Sequence, residues 1–489
     1  MTSVAKLLHQ KLEGAGVNDL QTEENEVIVN GFIHSVRNQK NRSFAAISDG
    51  SCIQTLQALL TPAQAKGPKI KNVADGFLGR LSYGTAVTVK GLWKPSPNPT
   101  GQSHELHVSK IDVISTTGST YPLQKKYQTS EYLRSMPHLR VRIPYNTALL
   151  RFRSEVIAIV TKTLSNMEFV QTHTPIITSS DCEGAGEVFQ VNLAQKQEPI
   201  IHEGGQYFFR SAKYLTVSSQ LHLEALAQSI GKVWTLSPTF RAERSDTSRH
   251  LSEFYMMEAE MSFIDSMHDV MSIIQKITAA VVRDLYTSRT GIDLLSRGPL
   301  DEKELRQRWD GLLQEKWEYI TYTEAIKILQ SSSQTFTYEP KWGLNLQAEH
   351  ERYLTSALGA NANCTCPVFV THYPKAVKPF YMLPSPSGPS QVGLETVECF
   401  DLLVPDVGEL AGGSMREYRL EPLLNSMFVN GLIPSLSPSD QELGDLKWYV
   451  DLRKWGSVPH GGFGLGFDRL LSYLSGVPNI KETVTFPRW

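Results

Sequence analysis

The hydrophobic period of the sequence changes near residue 146, and this change constrains the fold more than any other feature. Residues 26–114 contain five short runs rich in Val, Ile and aromatic residues, with patches of alternation and turn residues between them. After Asn146, the run ALLRFRSEVIAIVTKTLSNMEF places apolar residues at helical spacing. The pattern therefore predicts an all-β domain, a linker, and a larger domain of mixed α and β structure.

The five strand-like runs read EVIVNGFIHSVR, RSFAAIS, CIQTLQALL, TAVTVKGLW and HELHVSKIDVI. Five short strands at this spacing indicate a small closed barrel of the oligonucleotide-binding (OB) kind, although an SH3-like barrel or part of a sandwich has similar lengths and turns. We expect the barrel domain at residues 1–116, a linker and hinge at 117–145, and an α/β (α+β) domain at 146–489. A helical insertion is expected at about residues 265–360.

Composition excludes some partners and compartments. The formal net charge is −2, and no run of about 18 apolar residues occurs, so we expect no membrane span. A protein coated in basic charge is excluded, whereas a nucleic-acid partner is not, because a local basic patch is enough for binding. Five scattered cysteines, and an N-terminus without the apolar core of a secretory signal, indicate a reducing compartment.

The densest constellation of charge is FRAERSDTSRHLSEFYMMEAEM, residues 240–261. Within it, an aromatic residue is flanked by cations and carboxylates: Phe254, with Arg241, Arg249, His250, Glu243 and Glu253. Nucleotidyl transfer needs fixed positive charge at each phosphate, and arginine grips phosphate oxygens bidentately without losing its charge. The alternative for the segment taken alone is a surface strand–loop–strand that carries incidental ion pairs.

A glycine-rich segment, GGFGLGFDRLLSYLSG at residues 461–476, predicts a strand that runs into a helix carrying Arg469. Glycine lets a backbone approach a nucleotide closely, and an arginine in the helix that follows can bind its phosphates. A close contact between a helix and a strand would explain the same glycines.

Together these segments resemble the class II aminoacyl-tRNA synthetases. Arg241-Ala-Glu243, followed by Arg249-His250 and Glu253-Phe254, resembles their motif 2, and Gly464-Leu-Gly466-Phe-Asp468-Arg469 resembles their motif 3. The helix that ends near Phe169, with Pro175 after it, resembles motif 1. A five-stranded barrel before such a core is similar to the aspartate, asparagine and lysine subgroup, and the resemblance covers essentially the whole chain.

The resemblance implies a role for each matching residue. Arg241 and Arg469 would be the catalytic arginines, Arg241 on the α-phosphate and the amino-acid carboxylate, and Arg469 on the γ-phosphate and one adenine face. The other residues implied to bind ATP are Glu243 near the adenine, Arg249 and His250 at the outer phosphates, Phe254 stacked on adenine, Glu409 and Gly466. Glu409 is implied to be the main Mg²⁺ ligand and Asp401 the second, because ATP phosphates crowd negative charge that a divalent ion offsets.

The choice of amino acid depends on the side-chain pocket. Arg416 matches the arginine that grips the side-chain oxygen in aspartyl and asparaginyl enzymes and argues against lysyl enzymes; an exposed helical arginine is the alternative. Aspartyl enzymes resemble one another in Ser-Pro-Gln-Leu-x-Lys, where this chain has Leu223 at the lysine position and Glu224 after it. One cation plus one acceptor suits an amide, so we expect L-asparagine, with Glu224 accepting from its NH₂ group unless it is a solvated helix carboxylate. The substrate α-amino group is implied to meet Glu183 and Gln220.

Single-stranded bases are read by stacking on aromatic side chains and by hydrogen bonds to base edges. Phe44 on the second strand and Gln54 on the third stand where this family reads the middle anticodon base. Glu105 on the last strand is implied to be another anticodon contact. A place in the barrel core is the alternative for Phe44. The basic stretch AKGPKIKNV, residues 65–73, is expected to contact the RNA backbone.

The sequence therefore predicts a homodimeric, Mg²⁺-dependent ligase that joins L-asparagine to tRNA(Asn) with ATP. Dimerisation is implied by motif 1, whose helix would need a partner for an exposed apolar face. The expected compartment is the cytoplasm or the mitochondrial matrix, with the organelle favoured. The alternatives are an aspartyl enzyme, including a non-discriminating one, and a non-catalytic tRNA-binding paralogue, which would be expected to have lost Arg241, Glu409 or Arg469.

Overall fold

The computed structural model describes residues 1–8, 26–39, 42–60, 81–99, 101–124, 126–179, 188–192, 208–209, 211–243, 246–360, 364–386 and 394–489. These residues form two compact units. The first contains Met1–Phe152 and Ser288–Gly298, and the second contains Arg153–Thr287 and Pro299–Trp489. The first unit thus continues past residue 145, the predicted end of the linker, and includes a piece of the predicted helical insertion.

A closed five-stranded barrel is the centre of the first unit. Its strands, in the order β1-β2-β3-β5-β4, are β1 (Glu26–Asn38), β2 (Ser43–Ser48), β3 (Leu56–Leu60), β4 (Ala86–Pro95) and β5 (His104–Ser115). β3 and β5 pair in parallel, and the other neighbours are antiparallel. Burial alternates along β2, so Ala45 and Ile47 enter the barrel core while Phe44 lies on the outer face. The predicted barrel is confirmed.

Helices of the first unit are short, apart from one that continues into the second unit. They are Val4–Leu8, Ser130–Arg134, Pro137–Arg140, Arg289–Arg297 and the beginning of Pro144–Asn166. The last of these begins with Pro144. Proline suits this position because N–H groups of the first helical turn have no hydrogen-bond partner within the helix. The length of this helix confirms the long helix predicted after Asn146.

An eight-stranded, mainly antiparallel sheet is the centre of the second unit, as the fold class predicts. The strands of this unit are β6 (Val170–Gln171), β7 (Ile177–Thr178), β8 (Tyr214–Leu215), β9 (Lys232–Phe240), β10 (Glu253–Ser262), β11 (Glu318–Thr321), β12 (Val368–Thr371), β13 (Cys399–Val404), β14 (Gly408–Met415) and β15 (His460–Gly466). The sheet order is β11-β12-β13-β14-β15-β10-β9-β6, and β7 and β8 form a separate pair. Only the outer pairs, β11 with β12 and β6 with β9, are parallel.

Helices pack against this sheet, and the last of them follows β15 near the C-terminus. They are Gln220–Ile230, Met267–Thr287, Glu302–Leu313, Tyr322–Ser331, Ala348–Leu354, Leu420–Val429, Asp440–Leu443, Lys447–Lys454 and Phe467–Ser475. The predicted helical insertion at about 265–360 is not wholly helical, because β11 within it extends the sheet, where Tyr319 stacks on Phe369 with 5.2 Å between ring centroids. Among the described residues, no helix has both the length and the apolar character needed to cross a bilayer.

Candidate active site

Three neighbouring strands, β10, β14 and β15, form the floor of the candidate site. β15 lies between the other two and pairs Gly464 with Glu258 on one side and with Gly412 on the other. A Cβ atom on Gly462 would lie 2.0 Å from Glu260 Oε2 and 2.2 Å from the Ala259 carbonyl oxygen. Glycine at this position is therefore required by the contact between two strands, a reason that the sequence pattern did not distinguish.

A cavity of about 210 Å³ lies over these strands. Its polar wall consists of Ser218, Gln220, Arg241, Glu258, Glu260, Lys378, Asp401, Glu409 and Arg416, together with Tyr381. Five predicted site residues are thus brought together: Gln220, Arg241, Asp401, Glu409 and Arg416. They come from four separate parts of the chain, and the sheet order is what places them around one space.

Arg416 directly follows β14 and is held by a carboxylate across the sheet. Its Nε and Nη2 atoms donate to the two oxygens of Glu260 at 3.1 and 3.0 Å, and its Nη1 donates to Ser414 Oγ at 2.6 Å. Burial opposes the charge of Arg416, but the Glu260 carboxylate outweighs burial and raises the pKa of the guanidinium. Only 3% of Arg416 is exposed, so the alternative of an exposed helical arginine is wrong.

Leu223 lines the same cavity and is 1% exposed. This apolar residue occupies the position at which the resemblance to aspartyl enzymes would place a lysine. Glu260 is paired with Arg416 through two hydrogen bonds, and Leu223 adds no charge. This part of the wall therefore offers hydrogen bonds without a surplus positive charge.

Glu224 is not where the sequence interpretation put it. It does not line the cavity, and its Oε1 accepts a hydrogen bond from Gln220 Nε2 at 3.0 Å. Its Oε2 accepts from Tyr449 Oη at 2.8 Å and from Arg453 Nη2 at 2.5 Å, and His460 Nε2 lies 3.1 Å away.

The position of Glu224 follows from helical geometry, because adjacent residues of a helix point in directions about 100° apart. Leu223 therefore faces the cavity while Glu224 faces the helix Lys447–Lys454. Burial opposes the charge of Glu224, but Arg453 and His460 lower the pKa of its carboxyl well below the usual range. Glu224 is neither a solvated carboxylate nor a residue of the cavity wall, and Gln220 is the group that it positions there.

Three arginines surround the region expected to hold the ATP phosphates. Arg241 lines the cavity, and its guanidinium carbon lies 5.9 Å from the centroid of the Phe254 ring. Arg469 Nη1 donates to the backbone oxygen of Glu409 at 2.7 Å, and Arg249 Nη2 donates to Glu351 Oε2 at 2.9 Å. Arg249 and Arg469 also line a second cavity of about 320 Å³.

The remaining residues of the predicted nucleotide site lie nearby. His250 Nδ1 is 2.6 Å from Thr247 Oγ1, and burial together with the charges of Arg469 and Arg249 lowers the pKa of His250. Glu243 is exposed on the loop between β9 and β10, where its charge opposes that shift. Gly466 ends β15 directly before the helix that carries Arg469.

Two carboxylates lie over a glycine of β14 in a manner that fits a divalent cation. Asp401 Oδ1 and Glu409 Oε1 are 3.3 and 3.4 Å from the point where a Cβ on Gly412 would be, so both oxygens face the space that glycine leaves open. Burial opposes the charge of Glu409, but the positive charges of Arg469 and Lys378 keep the pKa of its carboxyl below the usual value. Among the described residues, no group of three or more His, Cys, Asp or Glu side chains could hold a metal unaided. A magnesium ion there would need phosphate oxygens as well.

Lys378 is a site residue that the sequence interpretation missed. Its Nζ donates to both oxygens of Asp401 at 3.0 Å and lies 4.0 Å from the centroid of the Tyr373 ring. Asp401 and Glu409 raise the pKa of this buried ammonium although burial opposes its charge. The available signal was a single lysine inside the otherwise apolar run AVKPFYM, residues 376–382.

Glu351 is the second missed residue, and it lies within the segment interpreted as an insertion. Its Oε2 accepts from Arg249 and also from the backbone N–H of Glu409, at 3.2 Å. No motif pointed to it, because its two partners are far away in sequence.

The outer face of the barrel carries the predicted anticodon residues. Phe44 is half-buried there, and the guanidinium carbons of Arg37 and Arg42 lie 5.0 and 5.4 Å from its ring centroid. The alternative that Phe44 belongs to the barrel core is therefore wrong. Glu105 is buried at the same face and accepts from Gln57 Nε2 at 2.9 Å.

Gln54 requires a correction. It lies before β3, which begins at Leu56, and its Oε1 accepts from Arg297 Nη2 at 3.2 Å within the same unit. Gln57, three residues later, is on β3 beside Glu105 and on the same outer face as Phe44. The error arose because the strand begins later than the run CIQTLQALL indicated. Glu183 and the basic stretch 65–73 lie outside the described residues.

Comparison with known proteins relates this geometry to a family. The family model of tRNA synthetases class II (D, K and N) matches residues 129–489. The mitochondrial asparagine–tRNA ligase of Schizosaccharomyces pombe is 40% identical over 468 residues, which cover 94% of this chain and 93% of the relative. The asparagine–tRNA ligase of Geotalea uraniireducens is 40% identical over 467 residues, covering 95% of each.

A solved structure is similar over nearly the whole chain as well. It is the asparaginyl-tRNA synthetase of Pyrococcus horikoshii complexed with asparaginyl-adenylate, with a TM-score of 0.78 and 28% sequence identity. The similarity covers 95% of this chain and 95% of that one.

Proposed function

The chain belongs to the class II tRNA synthetases of the aspartate, lysine and asparagine group, and we propose that it is an asparagine–tRNA ligase. The observation that carries the choice of asparagine is the Arg416–Glu260 ion pair beside the apolar Leu223. An amide completes the hydrogen bonds of such a wall without adding charge, whereas a carboxylate would add a negative charge that nothing at residue 223 offsets.

The proposed first step joins asparagine to the α-phosphate of ATP. A carboxylate oxygen of asparagine attacks the α-phosphorus, the bond to the β-phosphate breaks, and pyrophosphate leaves with its electron pair. Arg241, in the same cavity as Arg416, stabilises the charge that develops at the α-phosphate. Arg249, His250 and Arg469 bind the outer phosphates, while Phe254, Glu243 and Gly466 border the nucleoside.

In the second step, a hydroxyl of the terminal ribose of tRNA(Asn) attacks the carbonyl carbon of the adenylate and AMP leaves. Gln220 and Glu183 are proposed to hold the α-amino group throughout, Gln220 through a side chain that Glu224 orients. The chain thereby converts ATP, L-asparagine and tRNA(Asn) into AMP, pyrophosphate and asparaginyl-tRNA.

Glu409 and Asp401 would hold the Mg²⁺ that accompanies ATP. The open space above Gly412 supports this assignment, since a side chain there would fill it. When bound, the ion offsets phosphate charge as pyrophosphate leaves. Lys378 keeps Asp401 in place by donating to both of its oxygens.

We further propose that residues 1–116 bind the anticodon, 117–145 form the hinge and 146–489 carry catalysis. The cluster of Phe44, Arg37 and Arg42 supports a stacking site for an unpaired base, because arginine and phenylalanine both offer flat faces. Gln57 and Glu105 add hydrogen-bonding groups on the neighbouring strands.

The proposed active form is a homodimer. Among the described residues, β6 is an edge strand of the large sheet, and its Val170 is 46% exposed. Ile177, on the separate β7–β8 pair, is 42% exposed. Exposed apolar residues on sheet strands favour a second copy as partner. Sedimentation at micromolar concentration tests this, and a monomer that retains full activity would refute it.

The proposed compartment is the cytoplasm or the mitochondrial matrix, with the organelle favoured. The mitochondrial relative from Schizosaccharomyces pombe supports the organelle, and the bacterial relative supports the cytoplasm. Cell fractionation followed by immunodetection of the chain distinguishes the two.

One experiment tests the proposed activity. ATP–pyrophosphate exchange is measured with each of the twenty amino acids offered separately, followed by charging of tRNA(Asn) and tRNA(Asp). We expect exchange with asparagine and charging of tRNA(Asn). Exchange that is faster with aspartate would identify an aspartyl enzyme, and no exchange with any amino acid would identify a non-catalytic chain.

A further inference from the structure

A carboxylate from the middle of the chain enters the nucleotide site although no motif contains it. Glu351 lies on the helix Ala348–Leu354 and is mostly buried. Its Oε2 atom accepts two hydrogen bonds, from Arg249 Nη2 at 2.9 Å and from the backbone N–H of Glu409 at 3.2 Å. One oxygen thus joins an arginine expected at the outer phosphates to the residue expected to bind the metal.

The turn before β14 leaves room for this contact. Gly408 has a φ of +76°, and a Cβ atom there would lie 2.2 Å from Glu351 Oε2 and 2.6 Å from Arg249 Nη2. A positive φ favours glycine, and here the missing side chain is also what lets the carboxylate reach the backbone. Three distant segments meet at this point, namely the loop after β9, the helix at 348–354 and the beginning of β14 at Gly408 and Glu409.

The hydrogen bond between Glu351 and Arg249 can orient the arginine side chain. Arg249 is a long, flexible side chain, and a carboxylate that holds Nη2 leaves its other N–H groups to face a phosphate. Glu351 also places a negative charge close to Glu409, an arrangement that disfavours both carboxylates unless cations lie between or beside them. Arg249 and Arg469 are those cations. The Glu351 carboxylate can therefore hold Arg249 in position before ATP binds.

We infer that Glu351 is a positioning residue of the nucleotide site, which fixes the guanidinium of Arg249 and the backbone at Glu409 for Mg²⁺-ATP. The inference rests on the proposed roles of Arg249 and Glu409. It assigns a functional residue to the segment between residues 265 and 360 and gives Glu351 no direct contact with substrate.

Equilibrium binding of ATP in the absence of amino acid is the test, repeated at several Mg²⁺ concentrations. Loss of a residue that orients a ligand-binding group typically costs about 10- to 100-fold in metal affinity or activity. We expect Glu351→Ala to weaken ATP binding by about tenfold or more and to raise the Mg²⁺ concentration needed for half-maximal binding. The KM for asparagine should change less than about twofold, because the Arg416 wall does not involve Glu351.

Glu349 supplies the matched control. It lies on the same helix, two residues earlier, and accepts from the backbone N–H groups of Thr337 and Tyr338 instead. We expect Glu349→Gln to leave ATP binding unchanged, and Glu351→Gln, whose amide oxygen can still accept, to recover part of the loss. A double variant with Arg249→Ala should show less than additive effects, because Glu351 acts through Arg249.

Two results would overturn the inference while leaving the proposed function intact. In the first, Glu351→Ala keeps its ATP affinity and its Mg²⁺ dependence within about twofold of the unmodified chain, so Glu351 does not position the nucleotide site. In the second, the KM for ATP and the KM for asparagine rise equally, so the effect is not specific to the nucleotide site. An unmodified chain that does not bind ATP would overturn the proposed function together with the inference. Thermal unfolding of each variant accompanies the binding data, and the Gln variant carries the test if the Ala variant does not fold.

Discussion

Replacing Leu223 with lysine should shift the amino-acid preference toward aspartate. Leu223 lines the same cavity as Arg416, and Glu260 already neutralises that arginine through two hydrogen bonds. A lysine at residue 223 would therefore supply the surplus positive charge that a carboxylate substrate needs. Glu224 stays unchanged in this variant, because its carboxylate is held by Arg453 behind the cavity.

The size of the shift follows from the charge balance of the wall. A unit charge about 4 Å from the substrate carboxylate contributes roughly 4 kcal/mol at an effective dielectric constant of about 20. Desolvation of the new ammonium, in a place where leucine is 1% exposed, offsets part of this gain. We expect the ratio of kcat/KM for asparagine to kcat/KM for aspartate to fall by about 10- to 100-fold, or about 1.4 to 2.7 kcal/mol.

ATP–pyrophosphate exchange with both amino acids measures this ratio, and two controls separate charge from other effects. Leu223→Met keeps the volume without charge and should retain the asparagine preference. Ser229→Lys adds the same charge on an exposed position of the same helix and should also retain it. If the Leu223→Lys variant folds and its ratio stays within about twofold of the unmodified chain, the charge-balance reasoning is refuted.

Three further predictions follow from the site and the barrel. Arg241→Ala should slow adenylate formation by about 10²- to 10³-fold while tRNA binding remains, and exchange within a few-fold of the unmodified rate would contradict its role. Phe44→Ala should leave exchange unchanged and weaken tRNA binding by about 1–3 kcal/mol, since it removes one stacking face; an unchanged tRNA affinity would contradict its role. Glu224→Gln should lower the free energy of unfolding by about 3 kcal/mol or more, because it leaves the buried Arg453 without its anion, and unchanged denaturant unfolding would disprove this.

The sequence was sufficient for the parts of the fold that depend on local pattern. Alternation over residues 26–114 predicted the barrel, and helical spacing predicted the helix Pro144–Asn166. Site residues that were predicted from separate segments also lie together, since Arg241 and Arg416 line one cavity. These features could be predicted since each depends on residues close together in the sequence or on a resemblance that fixes their spacing.

The errors concern side-chain direction. Gln54 and Gln57 are three residues apart, and only the residue at which β3 begins decides which one lies beside Glu105. Glu224 was interpreted from its neighbour Leu223, although one residue along a helix turns the side chain by about 100°. Its true partner, Arg453, is 229 residues away, so no local pattern could have indicated the pair.

Glu351 and Lys378 were missed for the same physical reason. Each is a charged residue whose burial is stabilised by a partner from another segment, Arg249 for Glu351 and Asp401 for Lys378. A buried charge without such a partner would be costly, so its presence in an apolar run or an internal helix indicates that a partner exists. The sequence does not say which residue that partner is.

We propose that selection between asparagine and aspartate depends on the absence of a second cation at residue 223. Glu260 is paired with Arg416 and Leu223 is apolar, so a carboxylate substrate would meet no additional cation at residue 223. Repulsion by Glu224 is not needed for this, because its oxygens accept from Gln220, Tyr449 and Arg453. Glu224 instead holds the Gln220 amide at the cavity wall. We therefore expect the preference to be set where the helix Gln220–Ile230 presents Leu223 to the cavity.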